Sequence, residues 1–140
     1  MIAPHVIQAD IIADILSQSS ITSLLASVNE VREDQYQGTV YGYPAIRVAL
    51  ISQTPLIGPY PCDLTTLNLT LRVYTEGGSS RSNSVILAAI NSHLHRNTFR
   101  ATTWNIWFRS VGEILPTRQG NKLWRGEAIF SGTVYPSTAS

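Results

Sequence analysis

The stretch Leu67-Asn68-Leu69-Thr70-Leu71-Arg72-Val73-Tyr74 alternates apolar and polar side chains at every position. Successive side chains of a β-strand point to opposite faces of its sheet, so this alternation predicts a half-buried strand. The pattern is typical of an antiparallel sheet that is covered on one face and solvated on the other. The fold is therefore expected to be built around such a sheet.

Amphipathic helices are predicted on both sides of this strand. Apolar side chains recur at helical spacing over residues 6–17, and a second short helical turn is expected over residues 21–28. The sequence Gly77-Gly78-Ser79-Ser80 ends the strand and provides a serine to cap the next helix. Residues 81–95 then place their apolar side chains on one stripe, which predicts the second main helix.

Three other segments have the composition of strands. Residues 45–51 are rich in β-branched side chains, and residues 104–108 and 124–134 each carry aromatic and apolar side chains on one side. The order of helix, strands, helix and strands predicts an α+β fold. We expect a mostly antiparallel sheet of four to five strands, with two main helices packed on one face.

The segments between these elements are predicted to be connections. Residues 29–42 are polar and contain glycines, which indicates a loop or a short edge strand. The prolines within residues 53–63 remove ladder donors, so an irregular connection is expected there. Residues 96–102 are expected to link the second main helix to a strand, and residues 116–121 have the composition of a turn.

The composition suits one globular domain without a strong net charge. Of the 140 residues, 44% are hydrophobic and 14% are charged, so we expect a single domain over residues 1–140. The net charge of +1 does not favour non-specific binding to nucleic acid. No signal peptide pattern and no stretch of about 18 apolar residues is found, so we expect a protein made in the cytosol, without a membrane partner.

No catalytic or metal-binding constellation is complete in the sequence. Asp10 and Asp14 lie one helical turn apart, but like charges at this spacing usually mark a solvated face. His93 and His95 point about 200° apart on a helix, so they are expected to be helix C-terminal residues and not joint ligands. The single cysteine, Cys62, lies in the proline-rich segment without the surroundings of a nucleophile. We predict no catalytic residue, no metal site, no cofactor and no enzyme activity.

The two halves of the chain differ in charge. Acidic residues predominate up to Thr70, and basic residues, almost all of them arginines, predominate after it. Folding can interleave these charges into ordinary surface pairs. The alternative is that an acidic face of one subunit docks on the basic face of the next, which is the head-to-tail contact that closes rings.

The layout of these segments resembles that of the tail terminator, or tail completion, proteins of long-tailed bacteriophages. The similarity covers nearly the whole chain: the helix pair over residues 7–28, the strands over residues 43–48 and 67–74, the helix over residues 81–94 and the closing hairpin over residues 104–135. The resemblance implies an α+β domain that assembles as a hexameric ring. Such a ring caps the finished tail tube and presents its opposite face to the neck below the capsid.

From this resemblance we expect a structural virion protein at the junction of tail and neck, made in the host cytoplasm. Its expected partners are further copies of itself, the tail tube protein, a neck or head-completion protein and, in a contractile tail, the sheath protein. DNA would pass through the ring without specific recognition. The alternatives are a neck or head-completion connector ring, and a small ligand-binding or enzymatic α+β domain with a cleft beside residues 55–61.

Candidate partner contacts follow from side-chain type, because aromatic and arginine residues dominate the energetics of interfaces. Exposed loops and the closing hairpin are expected to carry most of them, and the acidic pair of the first helix is added as a counterpart for a neighbour's arginines. The candidate interface residues are Tyr36, Tyr41, Tyr60, Arg118, Lys122, Arg125, Asp10 and Asp14.

Overall fold

The computed structural model describes residues 3–25, 31–33, 43–55, 65–96, 98–100, 104–120 and 122–136. These residues form three helices, α1 (Pro4–Leu16), α2 (Ser19–Thr22) and α3 (Arg81–Leu94). They also form six strands, which are β1 (Val31–Glu33), β2 (Ala45–Pro55), β3 (Thr65–Glu76), β4 (Thr98–Arg100), β5 (Trp104–Gly120) and β6 (Leu123–Pro136).

All six strands belong to one sheet with the order β1-β2-β3-β6-β5-β4. Every neighbouring pair is antiparallel except β1 and β2, which are parallel. The alternating strand β3 lies inside the sheet and is paired with β2 on one side and with β6, from Thr65 to Glu76, on the other. The predicted α+β class and the mostly antiparallel sheet are confirmed, although the sheet has six described strands instead of four to five.

The hydrophobic core lies between one face of this sheet and the helices. Leu67, Leu69, Leu71 and Val73 of β3 are fully buried, as the alternation predicts. Helix α1 packs on β1 and β2, and α3 packs on β3, β5 and β6, so both main helices cover the same face. The apolar stripes that contact the sheet are Ile7, Ile11 and Ile15 of α1 and Ile86, Leu87, Ile90 and Leu94 of α3.

The sheet extends further than the sequence pattern predicts. The short strand β4 lies where a plain connection was expected, and β2 continues as far as Pro55. The segment 116–121 was predicted to be a turn, but β5 continues through it as far as Gly120, and the ladder ends only at the pair Gly120 and Leu123. Residue 121 lies outside the described residues. Pro116 is tolerated because it lies in a register shift between Ile114 and Thr117, where no regular ladder bond is required.

The predictions for the segments around the first helices are also partly wrong. The second helical turn begins at Ser19 and ends at Thr22, earlier than expected, and residues 26–28 lie outside the described part of the chain. Gln18 is the residue that precedes this helix. The short edge strand that was left open for residues 29–42 is β1, and the other residues of that segment are not described.

A buried asparagine fixes α3 against the sheet. The Nδ2 group of Asn83 donates hydrogen bonds to the Val73 carbonyl at 2.9 Å and to Thr75 Oγ1 at 3.1 Å. The facing residue on β6 is Gly126, where a Cβ atom would collide with Asn83 Oδ1 and would approach Leu87 Cδ1 to 2.7 Å. The absence of a side chain at this position therefore allows α3 to pack closely on β6.

Gly126→Ala is expected to lower the free energy of unfolding by about 1 to 3 kcal/mol, because the added methyl group overpacks a fully buried contact. The measurement is urea unfolding followed by circular dichroism. Gly112→Ala is the matched control within a strand, since nothing lies within 4 Å of its added Cβ atom. The control should change stability by no more than about 0.5 kcal/mol, and equal effects of the two substitutions would contradict this account of the packing.

Candidate functional site

A metal centre is not found in the described part of the chain, where no group of three or more His, Cys, Asp or Glu side chains could hold an ion. Among the same residues, no helix is long and apolar enough to cross a membrane. A groove of about 660 Å³ lies beside the N-terminal end of α3, where Leu24, Val85 and Ile86 provide apolar walls. Glu76 and Arg81 are the charged residues of its lining.

The outer edge of β5 is the most unusual surface feature. Strand β4 pairs with β5 only at residues 105–107. Beyond it, the end of α3 contributes two bonds: Arg96 N–H donates to the Phe108 carbonyl at 2.9 Å, and Ser110 N–H donates to His95 Nδ1 at 2.8 Å. From Val111 to Gly120, which we call the β5 edge, no strand of the described chain covers the outer side.

The β5 edge also exposes apolar side chains. Val111 is 59% exposed, Ile114 is 46% exposed and Leu115 is 72% exposed. An uncovered strand presents free N–H and C=O groups to any chain that can pair with it, and native proteins usually protect such edges with charges or bulges. The β5 edge carries such charges and register shifts, at Glu113 and Arg118 and between Ser110 and Gly112, Ile114 and Thr117, and Arg118 and Gly120. Its exposed apolar side chains are nevertheless typical of a surface that meets another protein.

The hairpin that joins β5 to β6 ends in positive charges. Arg118 and Lys122 are exposed, and Arg125 is half-buried. Arg118 lies opposite Trp124 and Arg125 lies opposite Thr117, so the two arginines point to opposite faces of the sheet. The structure thus brings these three candidate residues together at one end of the sheet, and their contact with a partner stays a prediction.

The two aspartates of α1 are not on an unpartnered solvated face, so that expectation is wrong. The indole Nε1–H of buried Trp104 donates to Asp10 Oδ2 at 2.8 Å. Nε2 of His93 lies 2.6 Å from Asp14 Oδ2, which joins α1 to α3. Both carboxylates therefore dock α1 within the protomer, and their role as contacts for a neighbour stays a prediction.

The two histidines lie at the C-terminal end of α3, as predicted, and serve different elements. His93 faces α1, whereas His95 follows the helix and binds the backbone of β5. Sequence spacing alone does not reveal these partners, because they are distant in the chain. The remaining candidates, Tyr36, Tyr41 and Tyr60, lie outside the described residues, as do Cys62 and the segment 56–61 of the expected cleft.

Asp10→Ala is expected to lower the free energy of unfolding by about 1 to 2 kcal/mol, because it removes a hydrogen bond between a carboxylate and the indole of Trp104. Thermal or urea unfolding measures the change. Glu113→Ala, which removes an exposed carboxylate on β5, should stay within about 0.5 kcal/mol of the parent protein. An Asp10→Ala protein as stable as the parent would show that this contact does not anchor α1.

Comparison with known proteins gives structural neighbours only. No protein-family model and no curated protein matches the chain. One solved structure, of the virion of a native gene transfer agent particle, contains a chain that is 14% identical, with 91% of this chain and 93% of that chain covered and a TM-score of 0.64. The fold is shared with a virion chain. A second solved structure, of a protein whose name states no function, is 12% identical, covers 100% of this chain and 99% of the other, and has a TM-score of 0.66.

Proposed function

We propose that this chain is a structural virion protein that forms a hexameric ring, terminates a phage tail tube and joins the tube to the neck. The observation that carries the proposal is the fold shared with a chain of a gene transfer agent virion, over 91% of this chain and 93% of that one. A match over more than nine-tenths of both chains supports a common architecture of the whole subunit and not of a single motif.

The surface of the subunit supports assembly into a ring. The β5 edge leaves backbone hydrogen-bonding groups and the side chains of Val111, Ile114 and Leu115 uncovered by the described chain. A subunit that closes a ring by head-to-tail contacts needs two different surfaces that fit each other. An apolar edge next to a basic hairpin end is suited to be one of these surfaces.

The proposed mechanism is geometric and needs no catalytic group. One surface of the ring would match the last layer of tube subunits, so that its binding removes the template for further addition. The other surface would receive the neck. A neck or head-completion connector ring is the second candidate, because the same virion neighbour supports it equally, and binding to tail tubes distinguishes the two.

The direct experiment is the mass of the purified protein by light scattering after gel filtration, repeated with polymerised tail tubes. The proposal predicts a mass of six protomers, or rings seen by electron microscopy at the tips of tubes. A monomer that does not bind tubes, and that instead binds a small molecule in the groove beside α3, would contradict it in favour of the ligand-binding or enzymatic alternative.

Charge reversal at the hairpin end tests where the partner is bound. Arg118→Glu combined with Lys122→Glu is expected to weaken ring formation or tube binding at least tenfold, because it replaces two exposed cations at the surface with anions. Unfolding of the monomer should be unchanged, since neither side chain is buried.

The matched control is Arg81→Glu combined with Arg96→Glu, which changes the net charge by the same amount. Arg81 is the first residue of α3, Arg96 follows the end of that helix, and both are exposed. This control should assemble like the parent protein. If both double variants weaken assembly equally, overall charge is responsible and the hairpin end is not the binding surface.

A further inference from the structure

Strands β1 and β5, which lie at and next to the two edges of the sheet, run in opposite directions. β1 is parallel to β2, and each following pair, from β2 through β3 and β6 to β5, is antiparallel. Counting these reversals makes β5 antiparallel to β1. If a second copy is placed beside the first with its strands in the same orientation, β1 of one copy meets β5 of the other as an antiparallel pair, which is the more stable arrangement.

Residues of β1 also lie level with residues of the β5 edge when the register is followed from strand to strand. The register can be followed across the strands from Arg32 to Arg47, then to Arg72, Glu127 and finally Ile114. The neighbouring row joins Glu33 of β1 to Glu113 of β5 through β2, β3 and β6. Arg32 and Glu33 of β1 therefore lie level with the part of β5 that has no partner strand in the described chain.

Within the described chain, β4 and the end of α3 leave the outer side of β5 uncovered beyond Ser110. β4 occupies the outer side of β5 at residues 105–107, and the end of α3 reaches as far as Ser110. The β5 edge begins at the next residue, Val111. Both β4 and an added β1 would run antiparallel to β5, so the added strand would continue the line of β4 along the same edge.

We propose that β1 of one protomer adds to the β5 edge of the next protomer, so that the sheets of neighbouring protomers continue into one another around the ring. This inference rests on the proposed ring and names its subunit contact. The contact is heterologous, because two different edges of the same chain meet, and such contacts close into rings when the rotation between protomers allows it. A symmetric pairing of two β5 edges would instead give a closed dimer and would leave β1 unused.

Chemical cross-linking tests the contact in the full-length protein. In a Cys62→Ser background, Arg32→Cys and Ile114→Cys are combined in one chain and treated with a short bis-maleimide. The expected result is a ladder of covalent oligomers up to the size of the ring on denaturing gels. Mixing the two single variants should give a covalent dimer and no larger product. Glu33→Cys with Glu113→Cys provides a second pair on the neighbouring row, in case the first pair impairs folding.

Arg32→Cys with Ser84→Cys, an exposed position on α3, is the matched control and should give no ladder. A covalent dimer from Ile114→Cys alone would overturn the inference in favour of symmetric pairing. Rings that form with tubes but give no cross-link from either same-row pair would also overturn it, while the proposed ring would stand. A protein that forms no oligomer with or without tubes would overturn both proposals.

Discussion

The pairing of β3 on both of its sides is the constraint on which the rest of the structure depends. All 12 of its residues pair with β6, those from Thr65 to Tyr74 also pair with β2, and its four alternating apolar side chains are fully buried. Burial of that row requires a cover on one face, which α1 and α3 provide with their isoleucine and leucine stripes. The register between β3 and β6 also determines which residues of β6 pair with β5 on its other side.

Within the described chain, β3 and β6 are paired on both sides, and the strand edges that no described strand covers lie toward the two ends of the sheet. Helix α1 is bonded through Asp10 to Trp104 and through Asp14 to His93, and α3 is bonded to β3 through Asn83. The β5 edge lies on a strand whose inner side is paired with β6, with three register shifts between Ser110 and Gly120. An uncovered strand edge can be paired by a strand of a neighbouring chain, so the ends of the sheet are suited to assembly.

The sequence predicted those parts of the fold that depend on local periodicity. The alternation over residues 67–74 and the helical stripes of α1 and α3 each bury a face large enough to fix the element type. Elements set by pairing with distant residues were missed: β4 has only three residues, and β5 continues through a segment of turn composition because β6 is available as a partner there. Ladder contacts of this kind leave no periodic signal in the strand itself.

The candidate interface residues were also predicted only in part. Arg118 and Lys122 are exposed as expected from their residue types, whereas the internal partners of Asp10 and Asp14, which lie far away in the chain, were not predicted. The β5 edge was missed altogether, since Val111, Ile114 and Leu115 have the composition of an ordinary strand. The structure is needed to show that β4 pairs with β5 only at residues 105–107 and that these three side chains are exposed.

The most direct measurement of the central claim is the growth of tail tubes in the presence of this protein. Tube protein would be polymerised in vitro, this chain would be added during growth, and tube lengths would be measured by electron microscopy. The account predicts that elongation stops on addition and that each stopped end carries one ring. Tubes that keep growing at the same rate, with no ring at their ends, would contradict it.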